Sequence, residues 1–586
     1  MSNMSTPVVD ISPNGPAPSS LAAAGGSEMC LSQEQLGSPT IATKVLTQAR
    51  PQTGYDNSSE LVPTVSIPGF SEYNYNGSPS NANLVPCVEI NEEDTIEYKR
   101  LCARSPCITL LSLSLGPLLS NIFTSIVSIV LSVYVSKALS NPNAAVAALT
   151  IAAVPEFIAN SIAWAMLIGS SATVSSSLGK GDIVGAQTAA INGVTMALIF
   201  GILMLVIMLP SARQILLSLA SSEHSSEIIS IAYDYIFVFI CGIPVTALNF
   251  TLNGVMSGTG NVKLVSTCNI IDIVLTLGVF APIFLFVPAT KASLGVRGAS
   301  LAIVLSRAIV LCVYLYVYIF RGTVRMNWKL LHQNHTFAYV KAILGVGCID
   351  LISSLSGTVI LGIVSTFVSK LATDYANLNS SGNEKQTYEE VMASWACLNR
   401  IYNLVVAISF GVTGGYLAPA SYAYGRKMYA RFISLTWSCF IYDSVLLLSL
   451  GVLFIIIIPW FSQIFSTSKL YTEMSTQIVR IMLATSAILP FQFIITTICQ
   501  ACNMVLIGLI VGVATQVAIL PTCFVIIYYV SLKYIPENVW LRYRLCILSF
   551  TFNDILSGVI SIGVWIYPMR KFKKLAQEQK AESGKS

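Results

Sequence analysis

Seven ionisable residues stand inside long apolar runs: Glu156, Asp272, Arg307, Asp350, Arg400, Asp443 and Asp554. A charge at the centre of a helix in hydrocarbon costs about 2.5–3.5 kcal/mol on the insertion scale, so such residues turn toward a cavity or a partner. Asp272 is the most informative of them. It lies mid-run between Asn269 and Thr276, and the helical period puts Asn269, Asp272 and Thr276 on one face. A carboxylate flanked by an amide and a hydroxyl can take up and release a proton or help hold a cation. The alternative is a buried ion pair with Arg307, which stands at similar depth in another run. Glu156 and Asn160 are one turn apart and are expected to face the same interior; Glu156 is a second candidate partner for Arg307. Asp443 reads as a residue that neutralises a neighbour. Arg400, next to Asn399, is placed to reach outward to water.

Catalysis and metal binding find little support. The only histidines are His224, His332 and His335, all in expected loops. Most of the 14 cysteines lie in apolar runs without the spacing of a disulfide framework. Cys499 and Cys502 share an apolar helix with no histidine nearby, so packing is their expected role. No glycine-rich phosphate loop is present. No catalytic residues, no metal site and no cofactor are therefore expected.

The elements that position these residues follow from composition. Hydrophobic residues make up 54% of the chain and charged residues 10%; a soluble domain carries about 25% charged residues, so most of this chain has no water to face. From residue 105 the apolar runs are long enough to cross a bilayer, which takes about 20 residues each. Backbone groups in lipid must be satisfied within each segment, which selects helices. The expectation is an all-α polytopic membrane protein of twelve transmembrane helices in two six-helix lobes: residues 105–325 as the N-lobe and 341–569 as the C-lobe, with 326–340 as a cytoplasmic loop between them. Residues 1–104, rich in Ser, Pro, Gly and Asn, read as a disordered cytoplasmic tail without a signal peptide, and 570–586 as a second cytoplasmic tail. Lys and Arg are biased toward the side of both termini. A loop over 370–390, with a weak glycosylation triplet at Asn379, is expected on the other side. The basic residues form no patch for nucleic acid.

Three prolines mark bends: Pro117 in the first helix, Pro244 in the fourth and Pro490 in the tenth. A faint repeat relates the halves. Gly181-Asp182-Ile183-Val184-Gly185-Ala186 after the second helix matches Gly425-Arg426-Lys427-Met428-Tyr429-Ala430 after the eighth, and Gly242-Ile243-Pro244 matches Ile488-Leu489-Pro490. Aromatic residues such as Tyr134, Trp164, Phe250, Trp395 and Tyr402 could line a pocket for an organic cation, with helix packing as the plainer role of each.

Four stretches resemble the multidrug and toxic compound extrusion (MATE) family: Gly169–Asp182, Gly242–Lys263, Leu294–Ala302 and Gly411–Arg431, in the right helices and order. The resemblance covers residues 105–570. It implies two lobes in a V-shaped arrangement and antiport of small organic solutes, often cationic or amphiphilic, against H⁺ or Na⁺. It also departs from the family. Asp272 falls where the family's fifth helix has Asn, and Thr276 where it has Asp. The first-helix Asp falls on Leu131 and a sixth-helix Thr on Ile303. Those losses remove oxygens that Na⁺ would need, which favours H⁺. A seventh-helix Glu falls near Leu355, one turn from Asp350; Asp350 either takes its place or pairs with a basic residue. The expected function is thus a monomeric antiporter in a plasma or internal (vacuolar or vesicular) membrane, its partners a small organic solute and the lipid bilayer. A flippase for lipid-linked precursors and, further off, a membrane-embedded transferase are the alternatives.

Overall fold

The computed structural model describes residues 96–138, 142–219, 225–288, 294–326, 337–379, 384–463 and 468–583. The chain divides into units 1–86 and 87–586, and everything described belongs to the second. Among the described residues there is no strand. Twelve helical units follow one another: α1 (Pro106–Ala138), α2 (Pro142–Gly179), α3 (Ile183–Leu219), α4 (Ser225–Cys241 and Ile243–Gly258), α5 (Val262–Phe286), α6 (Arg297–Arg321), α7 (Phe337–Asn379), α8 (Glu384–Gly425), α9 (Tyr429–Gln463), α10 (Lys469–Leu483 and Pro490–Ala501), α11 (Val505–Tyr534) and α12 (Val539–Ser583). Nine described helices are long and apolar enough to cross a membrane, or ten with the bent pair of α4. Their outer faces are apolar: Ile199, Ile202, Val206 and Ile207 on α3, and Ile441, Val445, Leu448 and Ile456 on α9, are all exposed. Such stripes suit lipid rather than water.

Three expectations need correction at the boundaries. Residues 96–104 are not a disordered tail. A short helix, Ile96–Leu101, precedes α1, and Leu101 and Cys102 are buried against Val262, Ala418 and Tyr422; residues 1–95 lie outside the described set. Residues 570–583 are not a tail but the continuation of α12, in which Phe572 stacks on Tyr429 at 5.5 Å. The segment 370–390 is mostly helix: α7 runs to Asn379 and α8 starts at Glu384. In the last two cases good helix formers such as Glu, Gln, Lys and Ala extend a helix beyond its apolar run, which hydropathy alone does not register.

The helix breaks have local causes. At Gly242 the two halves of α4 bend by 52°, and Pro244 opens the second half, where its missing N–H costs nothing. In α10 residues 484–489 leave the helix, and Pro490 restarts it. Pro117, by contrast, sits inside a continuous α1. A π-helical turn, Leu275–Phe280, interrupts α5, and another, Val513–Ala518, interrupts α11. Pro282 and Pro521 follow these turns, and a wider turn relieves the clash of each ring with the carbonyl four residues back.

The repeat is visible in backbone detail, with Gly181 answering to Lys427 rather than to Gly425, two residues from the register read in the sequence. α2 ends at Gly181 (φ 76°) and α8 at Lys427 (φ 60°), with the same pair of closing bonds: Asp182 N–H to Ser177 O and Met428 N–H to Ala423 O. α4 and α10 end alike at Gly260 (φ 73°) and Asn503 (φ 55°). These are Schellman-type caps, which require a left-handed residue. The lobes also touch reciprocally. A methyl group on Gly179 would strike the Tyr422 carbonyl, and one on Gly425 the Ser176 carbonyl. Gly169 of α2 lies on Ile343 of α7, while Gly415 of α8 lies on Ser114 of α1.

Hydrogen bonds join the lobes at this same end. Ser175 donates to the Ala418 carbonyl at 2.6 Å, Tyr339 donates to Asp182 at 3.1 Å, and Arg431 donates to the Arg104 carbonyl at 2.7 Å and to Thr109 at 3.2 Å. This end carries the starts of α1, α7 and α9 and the ends of α2 and α8.

Candidate functional site

α5 turns Asn269, Asp272 and Thr276 inward and leaves Ile270, Ile271 and Val274 exposed. The face read from the helical period is therefore the interior face. Its three polar residues divide into two hydrogen-bonded groups.

In the first group, Asn269 donates to Ser120 of α1 at 3.0 Å and accepts from Asn253 of α4 at 3.3 Å; Ser257 donates to Asn253 at 3.3 Å. In the second, one turn on, Ser306 of α6 donates to Asp272 Oδ1 at 2.6 Å, and Ser306 and Thr276 are 2.6 Å apart. With Ser306 donating to Asp272, Thr276 donates to Ser306. A relay Thr276–Ser306–Asp272 results, with Thr276 carried on the π turn. Three hydroxyl or carboxyl groups in line can pass a proton, and the carboxylate is the group among them that holds one.

Arg307, next to Ser306, forms no salt bridge with Asp272 or Glu156. Its guanidinium donates to Thr246 at 3.2 Å and lies 5.8 and 5.6 Å from the ring centroids of Phe239 and Phe250. In place of the alternative ion pair, the guanidinium meets a hydroxyl and two ring faces, which hold a cation without neutralising it. Its charge still acts on both carboxylates.

Glu156 accepts from Tyr235 of α4 at 3.1 Å, so it is tied within the N-lobe. Asn160, expected to work with it, does not bond it; its Oδ1 is buried without a partner. Asp350 lies in the other lobe, buried on α7 with Ser354 as its hydrogen-bond partner and no basic residue paired to it. Asp443 accepts from Ser409 at 2.7 Å rather than from a cationic neighbour. Among the aromatic residues, Phe250 meets Arg307, while Trp395 donates to Ser365 at 3.0 Å, and Trp164 and Tyr402 pack edge-on to Phe157 and Phe550. Among the described residues no group of His, Cys, Asp and Glu could hold a metal ion, and Cys499 and Cys502 are free and buried.

The sequence pointed to the face of α5 but missed its partners Ser306, Ser120 and Asn253, and missed Tyr235 as the partner of Glu156. Serine and tyrosine in a transmembrane run are too common to single out, and only the crossing of helices selects them. Ser306 carried one signal, its place beside Arg307.

The family and the fold can be compared with those of known proteins. The family model MatE matches residues 118–283 and 388–525, one block in each lobe. No curated protein sequence matches the chain. Among solved structures, one described as an outward-facing multidrug resistance MATE family transporter of the MOP superfamily is 17% identical, with a TM-score of 0.70 over 82% of this chain and 99% of that one. A MOP superfamily transporter from Pyrococcus furiosus, described by a reversed polarity of its binding pocket, aligns with the same identity, coverage and TM-score. A MATE structure in complex with MaL6 aligns at 17% identity and a TM-score of 0.69, over 82% of this chain and 100% of that one. Two blocks of the family model, one per lobe, and a fold shared over nearly the whole length of these transporters place this multi-pass membrane protein in the MatE family.

Proposed function

We propose that the protein is a secondary active antiporter that exports small organic solutes, cationic or amphiphilic, in exchange for H⁺, by alternating access between its lobes. The observation that carries this reading is Asp272. It stands inside the N-lobe, bonded to Ser306 and through it to Thr276, and is not consumed by an ion pair. A carboxylate in that state can exchange a proton for a cationic solute, since either satisfies its charge. Asn269, Glu156 and Asn160 line the same lobe, and Asp350 is the corresponding reserve in the other. H⁺ is favoured over Na⁺ because Leu131 and Ile303, buried in the N-lobe core, supply no oxygen. The two hydroxyls near Asp272, of Ser306 and Thr276, already serve it and each other.

In this reading the joined end faces the cytoplasm, as its Arg100, Arg104, Arg426, Lys427 and Arg431 suggest. Unzipping it would open the solute path inward, with Gly242 and residues 484–489 as the points where α4 and α10 bend. The chain would work as a monomer, in a plasma or internal membrane.

Efflux of a fluorescent organic cation from proteoliposomes tests the reading, under an imposed pH gradient and separately under a Na⁺ gradient. Transport driven by the pH gradient and reduced about 100-fold in Asp272→Asn is expected, the upper range of coupling between two ligands. Transport driven by Na⁺ alone, or unchanged in the variant, rejects Asp272 as the proton site.

A further inference from the structure

The short helix Ile96–Leu101 lies at the joined end, and its two sides meet different lobes. Toward the C-lobe, the Arg426 guanidinium sits 5.0 Å from the centre of the Tyr98 ring, and Leu101 packs with Ala418 and Tyr422. Glu97, the one acid of this helix, also acts on Tyr422. Toward the N-lobe, the helix presses on the turn between α4 and α5, where a Cβ added to Gly260 would lie 3.1 Å from both Arg100 and Leu101. On that side a pocket of ≈ 110 Å³ remains. It is bounded by Ile96 and Arg100, by Thr259 and Asn261 of the turn, and by Arg321 and Thr323 at the end of α6.

Two guanidinium groups line this pocket and, among the described residues, no acid does. Among those residues neither Arg100 nor Arg321 forms an ion pair; Arg321 rests 5.9 Å from the centre of the Tyr316 ring. Asn261 opens α5 without a side-chain capping bond. Two cations held around one small space repel each other, and an anion between them turns that repulsion into attraction. The guanidinium fork matches the oxygens of a phosphate. A phosphomonoester, at about −1.5 to −2 charges near neutral pH, balances both arginines. The pocket is well below the about 300–1,000 Å³ that drug-sized solutes occupy, so it suits one small group. The surface beside it is apolar: Tyr316 and Phe320, on the last turns of α6, are 51 and 62% exposed. That places a bed for acyl chains next to a seat for a charged head.

We propose that this pocket binds the phosphomonoester headgroup of an anionic lipid, held by Arg100 and Arg321, with Asn261 and Thr323 as neutral donors. The site shares no residue with the one around Asp272. Only its sidedness rests on the proposed orientation, which puts this end in the cytoplasmic leaflet, where anionic lipids gather. The bound headgroup fixes Ile96–Leu101 to the N-lobe while Tyr98 and Leu101 hold the C-lobe, so it favours the joined state of this end.

The test uses the purified full chain in an uncharged detergent. Thermal unfolding is followed against dioctanoyl phosphatidic acid, dioctanoyl phosphatidylcholine and inorganic phosphate, and native mass spectrometry counts bound lipid independently of stability. Phosphatidic acid is expected to bind and to raise the melting midpoint saturably, as a ligand of the folded state does; phosphatidylcholine is expected to do neither. In Arg100→Gln and in Arg321→Gln the concentration giving half the effect rises about tenfold or more, the loss of one charge-assisted contact. Both arginines are exposed, so neither substitution is expected to cost the fold. Lys574→Gln, which removes an exposed cation outside the pocket, leaves the response unchanged. Inorganic phosphate acting at the same concentration as phosphatidic acid supports the phosphate site and overturns the lipid as its source. Phosphatidic acid that neither binds nor stabilises, equal responses in the parent and both arginine variants, or a loss as large in Lys574→Gln overturns the proposal. No readout depends on transport, so failure of the antiporter reading leaves these outcomes untouched.

Discussion

The two lobes share a plan but manage buried charge in opposite ways. The N-lobe keeps Asp272 and Glu156 half-buried and places a guanidinium within reach of both. The C-lobe buries Asp350, Asp443 and Asp554 almost completely, at 6, 0 and 3% exposure, and gives each a hydroxyl but no salt bridge. Their cores differ in the same direction. The N-lobe core is rich in alanine, with Ala148, Ala152, Ala159 and Ala232 at its centre, while the C-lobe core is aromatic around Phe432, Trp565 and Phe572. Small residues allow close helix approach and a small rearrangement; interlocked rings resist one. The difference teaches that buried carboxylates can be held beside a guanidinium or by hydroxyls alone, and that here the second arrangement sits in the more interlocked core.

The largest expected effect probes the cores. Phe432→Ala removes a ring in contact with Tyr424, Trp565 and Phe572, and a cost of about 3–5 kcal/mol is expected. Ala232→Leu overpacks the N-lobe at about 1–3 kcal/mol. Thermal unfolding in detergent measures both, and equal costs would erase the contrast. Next come the hydroxyl partners. Ser409→Ala strands Asp443, whose other oxygen is already unpartnered, at about 2–3 kcal/mol. Ser306→Ala leaves Asp272 half-exposed and costs about 1 kcal/mol. A larger penalty for Ser306→Ala would mean that the N-lobe acid is the more tightly sealed of the two.

Arg307→Met makes the N-lobe resemble the C-lobe by removing its internal positive charge. Efflux driven by a pH gradient is expected to fall about tenfold, at the lower end of coupling energies. Full activity in this variant would remove the guanidinium from the account. The smallest effect concerns the caps. Lys427 adopts the left-handed conformation that Gly181 supplies in the other lobe. Lys427→Gly is therefore expected to raise stability by about 1 kcal/mol, read as a higher melting midpoint, and a loss would show that the lysine side chain does more than cap.

Much of this architecture was legible from the chain. Apolar runs gave the spans because lipid demands continuous helices, and the face of Asn269, Asp272 and Thr276 followed from period alone. Pro244 and Pro490 announced two of the breaks. What the chain did not announce lies between helices. Ser306 and Tyr235 have no signature until α6 and α4 cross α5 and α2. Whether Arg307 pairs with an acid or rests on Phe239 and Phe250 is decided by a few ångströms of helix position. Residues 570–583 and 384–390 were read as connecting chain because charged helix formers dilute hydropathy without ending a helix. Asn160 was placed beside Glu156 by spacing, yet Tyr235 intervenes as the partner.

The reciprocal glycines carry a mechanical consequence. Gly179 meets Tyr422 as Gly425 meets Ser176, so the seam between the lobes is the same joint made twice, related by a half turn. A joint of that kind has no latch side and no hinge side. Each contact is backbone against backbone, with no side chain to bend out of the way. The bare backbone at those two positions therefore acts as the closing surface of a double door. A single added methyl group on either leaf would hold both ajar.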